Sequence, residues 1–193
     1  CTFMVLMDSL KQLILEYQAL DLHSVIDYDR FNQYAIVHHS TGIEGSTLTE
    51  NETRLLLQEG VTPKGKPLEH SLMVKDHFDA LLFTLEAAKR KEIPDVSLIT
   101  AINARVMKST GNVHNTVFGE IDASKGMFRK GNVSAGGSYF VGYEKVEDYT
   151  NKLTQNLQEQ IKLTKNRDEQ VKLSFATHFN LVSINTFFQV NGR

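Results

Sequence analysis

Cysteine and proline are scarce in this chain, and both scarcities limit the kinds of structure that it can form. The 193 residues include one cysteine, Cys1, three prolines and no tryptophan. A single thiol excludes an intramolecular disulfide framework and any metal site built from several cysteines. This composition is typical of a reducing compartment, so we expect a cytoplasmic protein. Few prolines leave long stretches of chain free to form uninterrupted helices.

A strong charge of one sign and long apolar runs are also missing. Lys and Arg number 21 against 23 Asp and Glu, which gives a formal net charge of −2. That balance provides no electrostatic attraction for DNA or RNA, so we expect no nucleic-acid partner. No run approaches the roughly 18 apolar residues that span a bilayer. The apolar opening is also too short for a signal sequence, and we expect a soluble protein with no membrane partner.

The apolar residues that are present recur at helical spacing. With 41% hydrophobic content, the chain can bury one sizeable core. Thr49 and Glu52 have the spacing of a capping box, which predicts a helix start. Helices are predicted to begin near Asp8, at Asp27 or Asp29 and at Thr49, and to run over 69–91, 94–111, 146–165 and 168–184. The buried stripe of the 69–91 helix is predicted to be Leu72, Phe78, Leu81, Leu82, Leu85 and Ala88.

The segment 111–142 has a different composition. It holds seven of the twelve glycines, among short β-prone runs at 113–118 and 139–141. Such a mixture is typical of loops and hairpins. We therefore expect a mainly α-helical fold whose β structure is confined to a small hairpin in this segment.

The last residues of the given sequence form a polar loop after an apolar, helix-compatible run. Such a loop can aim backbone N–H groups and a guanidinium at phosphate oxygens. The loop contains Phe187 and ends in Asn191, Gly192 and Arg193. These four residues match the signature loop of the Fic family, His-Pro-Phe-x-Asp/Glu-Gly-Asn-Gly-Arg-x-x-Arg, which the segment therefore resembles. Four positions differ: Asn185 stands at the catalytic His, Thr186 at the Pro, Gln189 at the acid and Val190 at the first Gly.

Two further stretches support this resemblance. Ser40 and Glu44 lie in a run, 39–49, that resembles the family's inhibitory helix, with its pattern Ser/Thr-x-x-x-Glu-Gly/Asn. A second run is similar to the family's substrate-docking flap and contains Gly126, Arg129, Val133, Gly136 and Gly137. Arg129 itself could hold the flap, bind the target or simply be solvated. The resemblance divides the chain into an N-terminal helical segment (1–30) and a Fic-like domain (31–193), with an inhibitory helix (about 31–45), a flap (about 119–142) and a signature loop (185–193).

The resemblance implies a function and a set of site residues. Fic proteins typically take ATP with Mg²⁺ and transfer AMP to a Ser, Thr or Tyr hydroxyl of another protein, with the loop His as general base. It implies Asn185 at the catalytic position and Gln189 at the Mg²⁺ position, with the phosphates bound by Asn191, Gly192 and Arg193. Ser40 and Glu44 become the inhibitory residues. In the family the inhibitory Glu pairs with the second Arg of the motif, and here we expect Glu44 to pair with Arg193 instead. The implied partner is a target protein that binds the flap as an added strand, and a homo-oligomer is left open.

The substitutions in the signature loop leave two interpretations open. Asn185 has no titratable group, and loss of a general base lowers the rate by about 10²–10⁴. Gln189 offers a neutral oxygen where Mg²⁺ prefers a carboxylate. Val190 is β-branched and disfavours the positive φ that a glycine there would adopt. The chain is either a protein adenylyltransferase restrained by Glu44 or a catalytically impaired Fic-fold protein that binds nucleotide or protein. We also expect His178, two turns before the loop, to face the core or the wall of the pocket and not the substrate hydroxyl.

Overall fold

The computed structural model describes residues 12–20, 27–135 and 137–189, and most of these residues are helical. The mainly α-helical fold predicted from the sequence is therefore confirmed. The helices are α1 (12–19), α2 (Tyr28–Ile43), α3 (Glu50–Glu59), α4 (Leu68–Lys89), α5 (Val96–Val106), α6 (Val146–Leu163) and α7 (Arg167–Ile184). Within these ranges, no helix is both long and apolar enough to cross a bilayer.

Helices α2 and α3 begin at the capping residues that the sequence predicts. The Asp27 carboxylate accepts a hydrogen bond from the N–H of Arg30 at 3.1 Å and caps α2. Thr49 and Glu52 form the full capping box, in which each side chain accepts from the other residue's N–H, at 3.2 and 2.8 Å. Gly60 ends α3 in the left-handed conformation, which glycine adopts without a steric penalty. Local chemistry therefore fixes these helix ends.

Helix α4 lies at the centre of the core and packs on two sides. On one side Val74 joins Val37 and Leu56 in a cluster with α2 and α3. On the other side Ala80 packs against Val106 and Met107 at the end of α5. The helix therefore has a buried arc wider than one apolar stripe.

The prediction of which residues of α4 are buried is wrong in part. Leu82 and Leu85 are 39% and 36% exposed, and Ala88 is also exposed. The buried residues of this helix are Ser71, Met73, Val74, Asp76, His77, Ala80 and Ala87. The buried residues differ from the predicted stripe because α4 packs on two sides. Polar side chains can be buried there where they find hydrogen-bond partners. Asp76 accepts hydrogen bonds from the N–H and hydroxyl of Ser109, at 2.6 and 3.0 Å.

All strands in the described ranges lie between 111 and 142, as the glycine-rich composition predicts. Strand β1 (Val113–Thr116) pairs antiparallel with β2 (Gly119–Asp122). Strand β3 (Ser134–Ala135) pairs antiparallel with β4 (Ser138–Tyr139). The segment thus forms two small hairpins where one was expected.

Helices α6 and α7 form a helical hairpin joined by residues 164–166. The Asn166 side chain caps α7 by accepting from the N–H of Glu169 at 2.9 Å. Helix α6 buries Val146, Thr150 and Thr154 against the rest of the fold. Helix α7, in contrast, buries only Ile184. Most of its surface therefore stays accessible, and its last turn is the part that is fixed in the core.

Gly126 connects the β1–β2 hairpin to the helical core at very close range. It follows a 3₁₀ turn (Ala123–Lys125) and has φ = +64°. A Cβ atom at this position would lie 2.1 Å from the carbonyl oxygen of Thr100 in α5. This position therefore needs glycine both for its backbone conformation and for the contact.

Replacing Gly126 by Ala should destabilise the fold more than the same change at Gly60. Both glycines are left-handed, which costs an alanine roughly 1–2 kcal/mol. Gly60 has no neighbouring atom within 4 Å of an added Cβ, whereas the Gly126 clash should add roughly 1–3 kcal/mol. Urea unfolding of Gly126→Ala and Gly60→Ala measures the difference. Equal losses would contradict the close packing against Thr100.

Candidate functional site

Asn185 lies where helix α7 ends and the chain turns into the signature loop. It has φ = 53° and ψ = 63°, and its N–H donates to the carbonyls of Leu181 and Val182 at 3.2 and 3.1 Å. Asparagine is one of the few residues that tolerate this left-handed conformation at a helix C-terminus. The residue at which the sequence resemblance would place a general base is therefore a helix cap.

Arg129 attaches the flap to this helix end. Its Nε donates to the carbonyl of Asn185 at 2.6 Å, and its Nη2 donates to the carbonyl of Ile184 at 3.3 Å. Its backbone N–H donates to the carbonyl of Thr186 at 3.2 Å. Three consecutive residues across the helix end are thus bonded to one arginine.

The same guanidinium binds the chain on both sides of the β3–β4 hairpin. Nη1 donates to the carbonyl of Gly131 at 2.7 Å, and Nη2 donates to the carbonyl of Val141 at 2.5 Å. We call Arg129 with these carbonyl partners the Arg129 clamp. Arg129 is only 1% exposed, and burial lowers its pKa while the carboxylate of Glu144 raises it. Its side chain therefore holds the flap, and the alternative of a solvated Arg129 is wrong. Target binding by Arg129 stays a prediction.

The β1 strand holds the signature loop from another side. The Phe188 ring stacks on the His114 ring with centroids 4.7 Å apart. Gly131 lies close to the Phe188 ring, because a Cβ atom at Gly131 would be 3.2 Å from the Cζ atom of that ring. The N–H of Asn112 donates to Oε1 of Gln189 in a long contact of 3.5 Å. Residues 187–189 are therefore packed between the β1 strand and the flap.

Gln189 does not fit a magnesium ligand in this arrangement. Its side-chain oxygen is neutral and is directed at a backbone N–H, whereas Mg²⁺ prefers carboxylate and water oxygens. Among residues 12–20, 27–135 and 137–189, no group of three His, Cys, Asp or Glu side chains could hold a metal ion. The predicted phosphate-binding residues Asn191, Gly192 and Arg193, together with Val190, lie outside the described residues.

Two of the predicted flap residues, Val133 and Gly137, belong to the β3–β4 hairpin and its hydrogen-bond ladder. The carbonyl of Val133 accepts from the N–H of Phe140 at 3.2 Å, which extends the β3–β4 ladder. Gly137 has φ = +80° at the turn between these strands, and Gly136 lies outside the described residues. Tyr139 on β4 is 88% exposed. A two-stranded sheet leaves one edge of each strand without a partner inside the sheet, and an extended peptide could add to such an edge.

The predicted inhibitory residues lie at the C-terminal end of α2. Glu44 is the exposed cap of this helix, and its N–H donates to the carbonyl of Thr41 at 3.1 Å. Ser40 is half-buried one turn earlier. Helix α2 packs on α3 and α4. The pairing of Glu44 with Arg193 stays a prediction, since Arg193 is not among the described residues.

His178 lies on the exposed side of α7. The expectation that it faces the core is therefore wrong. Sequence reasoning also missed the contacts of His114 and Asn112 with the loop. Asn112 and Gln189 are 77 positions apart, and no spacing pattern connects them. The αL conformation of Asn185 had a usable signal, since asparagine after a long helical run is a common C-terminal cap.

Comparison with solved structures identifies the fold. A Fic domain-containing signalling protein from Bacteroides thetaiotaomicron superposes with a TM-score of 0.72 at 21% identity, covering 95% of this chain and 67% of that one. A Fic family protein from Desulfovibrio desulfuricans gives 0.71 at 19% identity, covering 98% of this chain and 53% of that one. Fic-1 from C. elegans gives 0.68 at 21% identity, covering 89% of this chain and 46% of that one.

The chain therefore has a Fic-like fold, as the signature-loop resemblance implied. It spans about half to two thirds of the length of these solved chains. No family model matches the sequence.

Replacing Arg129 by Met should remove the side-chain link between flap and helix end and leave only the backbone bond from residue 129 to Thr186. Four carbonyls would lose their donor inside the protein, and we expect a loss of about 3 kcal/mol or more. Arg129→Lys should recover only part of this, because an ammonium cannot span the four acceptors as a planar guanidinium does. The free energy of unfolding in urea measures both changes.

Arg90→Met is the matched control for this prediction. Arg90 is exposed and pairs with Glu92 at 2.7 Å, so its loss should change stability by less than about 0.5 kcal/mol. An Arg129→Met protein as stable as the Arg90→Met protein would show that the clamp does not hold the fold together.

Proposed function

We propose that this chain is a Fic protein of the kind that transfers AMP from ATP to a hydroxyl of a target protein, with the transfer step impaired by its own signature loop. The observation that carries the proposal is the Arg129 clamp, which bonds the flap to the backbone of Asn185. A target segment added to the flap would lie beside the catalytic position. The target would present a Ser, Thr or Tyr hydroxyl there.

The chemistry of Asn185 supports the impaired step. Transfer forms a bond between the target oxygen and the α-phosphorus, releases pyrophosphate and requires the hydroxyl proton to leave. The Asn185 amide can hydrogen-bond the hydroxyl but cannot take its proton. Water would then have to accept it, and the rate should fall by about 10²–10⁴.

A second candidate function is a target-binding protein without transfer. The long contact between Gln189 and the N–H of Asn112 favours it, because the side chain in the metal position is directed at the backbone just before β1. Peptide binding needs only the flap edge, which uses backbone hydrogen bonds and no metal. The two candidates therefore share a partner and differ in chemistry.

Glu44 would restrain either activity from the end of α2. The proposal rests on the Ser40 and Glu44 pattern and on the exposed position of Glu44 as the helix cap. An acidic side chain close to the phosphate-binding residues would repel a nucleotide. Glu44→Gly removes that charge at an exposed position.

Transfer of label from ATP to proteins of a lysate tests the proposal. The unmodified chain should give little labelling, and Asn185→His alone should recover little of it. Asn185→His with Gln189→Asp and Val190→Gly should recover more, because base, metal and phosphate contacts act as a unit. Adding Glu44→Gly should raise the labelling further.

Gln170→His is the control for the added histidine. Gln170 is exposed in the first turn of the same helix, so a His there should leave labelling at the level of the unmodified chain. Robust labelling by the unmodified chain would show that the substituted loop is not impaired. Absence of labelling from the triple variant with Glu44→Gly would favour the binding function.

A further inference from the structure

Thr47 connects the segment 44–49, which joins α2 to α3, to the beginning of α4. Its N–H donates to Nδ1 of the half-buried His70 at 3.2 Å, and its hydroxyl lies 3.1 Å from the same nitrogen. Its carbonyl accepts from Nζ of Lys66 at 2.7 Å. Side chains that lie 23 and 19 positions along the chain therefore hold the N–H and the carbonyl of this one residue.

The residues on either side of Thr47 are fixed by other contacts. The N–H of Ser46 donates to the carbonyl of Thr41 at 3.0 Å. Leu48 is 3% exposed and packs in the cluster that α2, α3 and α4 share. Loss of the bond to His70 would therefore loosen the segment at Thr47 without unfolding the helices that it joins.

The bond from Thr47 requires His70 to be neutral. A ring nitrogen accepts a hydrogen bond only through its lone pair, so Nδ1 carries no proton when it accepts from a backbone N–H. Histidine is the side chain that ordinarily changes its charge between pH 5 and 8, and the imidazolium is a donor at both nitrogens. Protonated Nδ1 could still donate to the Thr47 hydroxyl, but it would turn a donor towards the Thr47 N–H. Protonation would therefore break the bond to the backbone.

The charges near Thr47 add to this effect. The elements that meet there carry these titratable or charged side chains: His38 and His39 near the end of α2, Glu44 in the segment, Glu50 and Glu52 at the start of α3, Lys64 and Lys66 in the loop before α4, and Glu69 beside His70. The Thr49 N–H and then the Lys66 ammonium, 3.8 Å away, lower the pKa of Glu52. Lys66 already binds the Thr47 carbonyl, so protonation of His70 would add a second cation at the same residue.

We propose that Thr47 and His70 form a pH-sensitive latch, which holds the segment 44–49 when His70 is neutral and releases it when His70 is protonated. The contribution of the latch is present at high pH and is lost as the pH falls. Glu44 is the C-terminal cap of α2 and the first residue of this segment, so the latch restricts the position of its carboxylate. Release would then weaken the restraint by Glu44. That last step rests on the proposed function, whereas the latch itself does not.

Hydrogen exchange of the Thr47 amide at about pH 8 and about pH 5.5 tests the latch. Division of each observed rate by the intrinsic rate at the same pH gives a protection factor that reports only on structure. The protection of Thr47 should fall about tenfold over this range, which is the factor that one hydrogen bond contributes. Ile99, whose N–H donates to the Asp95 carbonyl at 3.1 Å in α5, should keep its protection. Constant protection of Thr47, or an equal fall at Ile99, would overturn the proposal.

Two substitutions of His70 separate the hydrogen-bond acceptor from the titration. His70→Asn places an amide oxygen near the position of Nδ1, and this oxygen accepts at every pH. Thr47 should then stay protected at both pH values. His70→Ala removes the acceptor, and the protection should be about tenfold lower at both. His178→Asn replaces an exposed histidine of α7 and should leave the pH dependence as it is in the unmodified chain.

The variants can also contradict the latch. A fall with pH in His70→Asn as large as that in the unmodified chain would assign the titration to another group. Full protection of Thr47 in His70→Ala would show that the bond does not hold the segment. Unchanged protection of Ile99 verifies that each variant is folded.

Labelling from ATP tests the link to Glu44 separately, at one pH and in the variant Asn185→His with Gln189→Asp and Val190→Gly. Adding His70→Ala should raise the labelling towards the level that Glu44→Gly gives, whereas adding His70→Asn should not. Equal labelling with the two His70 substitutions would overturn the link between the latch and Glu44. If no variant labels any protein, the proposed function fails, and the exchange result alone decides the latch.

Discussion

The Arg129 clamp is the interaction on which the candidate site depends. A buried guanidinium must satisfy its N–H donors, and here it does so with backbone carbonyls of the flap and of the end of α7. Carbonyls are fixed to the backbone, so each bond constrains the path of the chain. One side chain thereby sets where the flap lies relative to Asn185. Loss of that side chain would free both segments at once.

The flap has little stability of its own without this link. Strands β3 and β4 pair over two residues each, and an isolated two-stranded hairpin is marginal in water even when it is longer. The β1–β2 hairpin adds a second support through the stacking of His114 on Phe188. In the proposed function the flap receives a peptide as an added strand, and it would then have to be rigid, because ordering it on binding would cost affinity. The clamp provides that rigidity.

Helix ends and the β segment were predictable from sequence because local chemistry determines them. Asp27, Thr49 and the glycines of 111–142 act on their own neighbours in the chain. The burial of α4 was predicted poorly because two partners, distant in sequence, decide it. The role of Arg129 was undecidable for a similar reason. Its acceptors are carbonyls up to 56 positions away, and every residue has a carbonyl. Exposure of His178 follows from the one-sided packing of α7.

Native-state hydrogen exchange of three amides tests the central claim most directly. The N–H groups of Arg129, Phe140 and Asn185 bond to Thr186, Val133 and Leu181 respectively, so they report on the clamp, the flap and the helix end. If the clamp unites these segments, the three amides should open with one common free energy that falls in parallel as denaturant is added. Exchange of Phe140 at the rate of an unprotected amide, while Asn185 stays protected, would show that the flap moves independently and would contradict the account.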